Sequence, residues 1–137
     1  MIRIKALDHI VIRAVDSASL CAFYCDVLGC SVERASSPDT GLTQLRAGSA
    51  LIDIVAVDSE LGRAGGAAPG HEAHNMDHFC VVLEDFNEAA IRQHLSAFDI
   101  AGSALEQRYG AAGYGPSIYI DDPEGNTIEL KGLPAIS

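Results

Sequence analysis

A duplication limits what this chain can fold into more than any other feature. Asp8-His9 returns as Asp77-His78 at an offset of 69, and Leu51-Ile-Asp-Ile54 returns as Thr127-Ile-Glu-Leu130 at an offset of 76. The fold must therefore build one supersecondary unit twice. The seven extra residues of the second copy have room in the glycine-rich stretch Tyr109 to Pro116. The helical stripes match less cleanly, since superposing Leu20, Tyr24 and Val27 on Ile91, Leu95 and Phe98 takes an offset of 71.

In the first copy, Leu7 to Arg13 is β-branched and alternating, which predicts a strand. A helix follows, capped by Asp16 or Ser17, with Leu20, Phe23, Tyr24, Val27 and Leu28 at helical spacing and Gly29 as its left-handed stop. Ser31 to Arg34, Leu42 to Arg46 and Ala50 to Val57 read as three more strands between short turns, giving a βαβββ module at about 5–57. Gly, Ala and Pro dominate 58–75, as in a linker. The pattern then restarts at about 76–132. Asp77 to Leu83 is a strand, Asp85 and Glu88 form a capping box, and Ile91, Leu95 and Phe98 make a stripe. Strands follow at Ala101 to Arg108, Ser117 to Ile120 and Thr127 to Lys131, the last two joined by the turn Asp122-Pro-Glu-Gly125.

Strand parity then places the polar residues. Ile10 and Ile12 share one face while His9, Val11 and Arg13 share the other; Ile52 and Ile54 oppose Asp53, and Ile128 and Leu130 oppose Glu129. With the apolar faces against helices, the expected architecture is α+β. Two βαβββ modules form a curved, half-barrel mixed sheet in one domain over 1–137, with helices on the outer face. His9, Asp53, His78 and Glu129 then turn to the concave side. Any one of them alone is an ordinary strand residue, but two imidazoles with one or two carboxylates suit a divalent Zn, Ni, Co, Mn or Fe ion. His71, His74 and His94 read as solvent-facing.

Composition excludes several classes. Of 137 residues 48% are hydrophobic and 20% charged, and the balance of 9 Lys and Arg against 19 Asp and Glu gives a net charge of −10. Such a surface repels nucleic acid. No apolar run reaches membrane-spanning length and no leader pattern precedes Leu7, so the expectation is a cytoplasmic protein acting on a small molecule. Cys21, Cys25, Cys30 and Cys80 form no metal or disulfide framework and read as reduced, partly buried thiols.

The motifs Asp8-His-Ile-Val-Ile12, Phe23-Tyr-x-x-x-Leu-Gly29, Asp77-His78 and Asp122-Pro-Glu-Gly-Asn-x-Ile-Glu-Leu130 resemble those of the vicinal oxygen chelate superfamily. That superfamily includes glyoxalase I, extradiol dioxygenases, fosfomycin-resistance thiol transferases, methylmalonyl-CoA epimerase and bleomycin-binding proteins. The resemblance covers nearly the whole chain and is nearest to small glyoxalase-I-like lyases. It implies metal ligation by His9, Asp53, His78 and Glu129, and proton shuttling by a carboxylate, Glu129 first and Asp53 second. It also implies a homodimer, and an Arg13 that holds a carboxylate of glutathione or another thiol cosubstrate. The implied reaction converts a hemithioacetal of a 2-oxoaldehyde into a 2-hydroxyacyl thioester, as in lactoylglutathione lyase. Two positions depart from glyoxalase I, with Asp53 in place of Glu and Val57 in place of Asn. The same residues accommodate an Fe(II)-dependent dioxygenase, a fosfomycin-type thiol transferase, or a non-catalytic protein that sequesters a cationic drug.

Overall fold

A computed structural model describes residues 1–135 as two compact units, 1–75 and 76 onward. The first contains β1 (His9–Ala14), α1 (Ser17–Asp26), β2 (Ser31–Ala35), β3 (Leu42–Ala47), β4 (Ala50–Ala56) and the short α2 (Glu60–Arg63). The second contains β5 (Phe79–Val82), α3 (Glu88–Ser96), β6 (Glu106–Gly110), β7 (Gly113–Asp121) and β8 (Thr127–Lys131). The α+β class and the repeated βαβββ order stand as expected. Each unit folds its strands into a four-stranded mixed sheet, ordered β1-β4-β3-β2 and β5-β8-β7-β6, and neither sheet closes into a barrel.

In both sheets the first strand runs parallel to the last, and the other pairs are antiparallel. Parallel pairing requires a crossover, which α1 and α3 supply. In the first unit, Ile12, Ile52, Ile54 and Leu45 are buried together with Leu20, Phe23 and Tyr24 of α1. Asp16 caps α1, accepting from the Ser19 amide at 3.0 Å, and Gly29 follows it at φ +73, a conformation that side chains resist. In the second unit, Ile118, Ile120, Ile128 and Leu130 form the buried face with Leu95 of α3.

Four local expectations need correction. Asn87 caps α3, accepting from the Ala90 amide at 2.9 Å, whereas Asp85 occupies a left-handed turn at φ +48. Two Asx residues compete within three positions, and the one adjoining the helix wins. Residues 101–105 are not strand: β6 starts at Glu106, and Arg92 of α3 ties down the preceding segment through the carbonyls of Ala101 and Ser103. β7 starts at Gly113 rather than at Ser117, so the strand takes in the end of the glycine-rich stretch from Tyr109 to Pro116. That stretch is the tip of a β6–β7 hairpin in which Gly110 pairs with Gly113 and Arg108 with Gly115. Finally, the connector after β4 contains α2, capped by Ser59, which accepts from the Gly62 amide at 3.1 Å.

Candidate metal site

Register makes the duplication exact at the level of paired strands. Asp53 stands between Val11 of β1 and Gln44 of β3; Glu129 stands between Cys80 of β5 and Tyr119 of β7. His9 and His78 lie two residues before Val11 and Cys80, hence on the same face as their acid. Each unit thus presents one imidazole and one carboxylate on the face opposite its buried aliphatic residues.

The acids are held differently. Glu129 is buried, and its carboxylate accepts from Ser117 Oγ at 2.7 Å and from the Tyr119 hydroxyl at 2.9 Å. Burial pushes its pKa up, but hydrogen bonds from Ser117, Tyr119 and Cys80, with the His78 charge, outweigh burial and hold it below the usual 4.5. Asp53 is equally buried; Gln44 Nε2 donates to Oδ2 at 3.2 Å, while Oδ1 is buried with no hydrogen-bond partner among the described residues. A buried carboxylate oxygen without a donor is costly and suits a position where a cation or a substrate proton belongs.

Both imidazoles are oriented by the preceding aspartate. His9 Nδ1 lies 2.7 Å from Asp8 and His78 Nδ1 lies 2.6 Å from Asp77, which leaves each Nε2 as the ligating nitrogen. The bond to Asp8 raises the His9 pKa, against burial and with help from Asp53. His78 Nε2 stands 3.4 Å from Glu129 Oε1. Two ligand atoms each about 2.1 Å from a tetrahedral ion are separated by roughly that distance, so this pair fits a shared cation. Among the described residues no three His, Cys, Asp or Glu side chains form a group able to hold a metal, so each unit offers a pair.

The sequence reading gives no role to Asp8, Asp77 or Ser117. The repeated Asp-His dipeptide was the available signal for the first two. Arg13 shares the sheet face of His9, but its guanidinium donates to the backbone carbonyls of Gly62, Gly66 and Ala67 at 3.4, 3.0 and 2.9 Å. A Cβ on Gly65 would stand 2.6 Å from it.

The Glyoxalase/Bleomycin resistance protein/Dioxygenase superfamily model matches residues 6–130. No curated protein matches the chain. Among solved structures, a virulence protein from Salmonella typhimurium is 23% identical with a TM-score of 0.79, covering 97% of this chain and 100% of that one. A lactoylglutathione lyase from Agrobacterium tumefaciens is 23% identical with a TM-score of 0.66, covering 93% and 92%. The fosfomycin resistance protein FosX from Listeria monocytogenes is 16% identical with a TM-score of 0.68, covering 96% of each chain. At these identities the likeness is one of fold.

Proposed function

The chain belongs to the glyoxalase, bleomycin resistance protein and dioxygenase superfamily, and from that premise we propose a divalent-metal-dependent lyase or isomerase of the glyoxalase I type. Its substrate is a small oxygenated molecule, a thiol conjugate of a 2-oxoaldehyde in the leading case. His9, His78, Glu129 and Asp53 supply the ligands, and the carrying observation is the 3.4 Å separation of His78 Nε2 from Glu129 Oε1. A Zn, Ni, Co, Mn or Fe ion, when bound, stabilises negative charge on a substrate oxygen.

This chain's residues then have distinct tasks. Asp8 and Asp77 fix the imidazole tautomers so that Nε2 is unprotonated toward the ion. Ser117 and Tyr119 keep Glu129 ionised and aimed. A carboxylate takes the proton from the carbon beside the substrate oxygen and returns it to the neighbouring carbon. Glu129 is the first candidate for that base. Asp53 is the second reading, favoured by its unpartnered Oδ1, which is free to accept a proton without giving up a hydrogen bond. Arg13 is proposed to hold an anionic group of the cosubstrate, which requires it to release the carbonyls it now binds.

The proposed enzyme is a homodimer. β1, which His9 begins, and β5, which His78 immediately precedes, are edge strands of their sheets, and an open edge invites pairing with another strand.

Elemental analysis of protein purified without added metal, followed by methylglyoxal turnover with and without glutathione, tests the proposal. Stoichiometric metal and thiol-dependent turnover are expected. Glu129→Gln is expected to abolish turnover; if Asp53→Asn does so while Glu129→Gln turns over, Asp53 is the base. Metal without lyase activity retires the reaction and keeps the site.

A further inference from the structure

The glycine-rich hairpin and the buried lysine beside it have no part in the chemistry above, yet they fit each other. Lys131 ends β8 and is only 3% exposed. It lies on the same sheet face as Glu129, two residues further along the strand. Its ammonium donates to the carbonyls of Arg108 and of Gly115, the latter at 3.2 Å, and so grips both arms of the β6–β7 hairpin. The missing side chains of the hairpin make room for it. A Cβ on Gly110 would stand 2.9 Å from Lys131 Cε, and one on Gly115 would stand 3.2 Å from Nζ.

No carboxylate among the described residues forms an ion pair with this ammonium. A buried cation without a counter-charge carries a desolvation penalty that a methionine in the same space would avoid. What the lysine supplies is position. Ser117 is its register partner across the β7–β8 ladder, is wholly buried, and donates to Glu129. Tyr119, on the same strand, donates to the other Glu129 oxygen. The strand that Lys131 grips at Gly115 is thus the strand that delivers both hydroxyls.

We infer that Lys131 is a positioning residue that clamps the β6–β7 hairpin to β8 and thereby keeps Ser117 and Tyr119 on the Glu129 carboxylate. The inference rests on the reading of Glu129 as the working acid. Two variants of the full chain test it. Lys131→Met keeps the stem and removes the donors, whereas Gly110→Ala keeps the charge and pushes the stem aside.

The first readout needs no metal: the exchange rate of the Ser117 hydroxyl proton, followed by NMR in the metal-free protein. The second is Co²⁺ affinity. Both variants are expected to fold, to exchange the Ser117 hydroxyl at least about tenfold faster, and to bind Co²⁺ about tenfold more weakly. Unchanged hydroxyl exchange in either folded variant overturns the inference, as does faster exchange with unchanged Co²⁺ affinity. If Lys131→Met does not fold, Gly110→Ala decides alone. A wild-type protein that takes up no Co²⁺ overturns the proposed function instead, and the hydroxyl measurement still decides whether Lys131 sets the Glu129 network.

Discussion

The Nδ1 atom of His78 lies 2.6 Å from a carboxylate oxygen of Asp77, and His9 repeats the relationship with Asp8 at 2.7 Å. The carboxylate fixes the ring and its tautomer so that Nε2 is the ligating nitrogen, and its removal therefore weakens ligation without removing a ligand. Asp77→Ala is expected to lower Zn²⁺ affinity about tenfold and the Asp8→Ala, Asp77→Ala pair about a hundredfold, as measured by calorimetry. Affinity within twofold of wild type would show that the two bonds orient nothing.

Glu129 gives a pH signature. Its carboxyl is held below 4.5 in the folded chain, with burial opposed by hydrogen bonds from Ser117, Tyr119 and Cys80. A depressed acid adds stability that is complete above its unfolded value and is lost as pH falls through the folded value. Urea midpoints of wild type and Glu129→Gln should therefore differ most above about pH 5 and converge as pH falls from there through the folded value. Ser117→Ala should shift that convergence to higher pH. A difference independent of pH would mean that Glu129 is not held ionised.

Much of this arrangement is legible in the sequence because strand geometry leaves few choices. The offsets of 69 and 76 prove to be those of register partners, Val11 with Asp53 and Cys80 with Glu129. Period-two alternation alone puts each acid on the face opposite its aliphatic neighbours. Hydrogen-bond partners are less accessible, because they depend on register across strands far apart in sequence. β7 starts at Gly113, and the glycines that carry it past Pro116 show no alternation, so Ser117 cannot be placed opposite Lys131 from sequence. Arg13 illustrates a second gap: parity gives its face, but only the path of 62–67 shows where its donors go.

The thiols offer an independent check on burial. Burial pushes the half-buried Cys30 thiol up to about 11, with Cys25 adding to the shift. At pH 8 such a thiol is only about 0.1% thiolate, and its greater intrinsic nucleophilicity recovers part of the loss. Iodoacetamide labelling followed by mass spectrometry should find Cys30 about tenfold or more slower than free cysteine at pH 8, with the rate still climbing at pH 10. Labelling at the free-cysteine rate would place the Cys30 sulfur in water.

Arg13 can be assigned by proteolysis. Its guanidinium holds the carbonyls of Gly62, Gly66 and Ala67, which flank the trypsin site after Arg63. Removing three charge-assisted bonds should let this segment open more often, and cleavage by a protease tracks the population of the open form. Arg13→Ala is expected to speed tryptic cleavage after Arg63 several-fold at unchanged global stability, whereas Arg13→Gln, which keeps part of the hydrogen bonding, should fall between. Cleavage at the wild-type rate, together with a raised KM for a carboxylate-bearing thiol substrate, would instead give Arg13 to the substrate and leave the 62–67 segment to be held by α2 and Ser59.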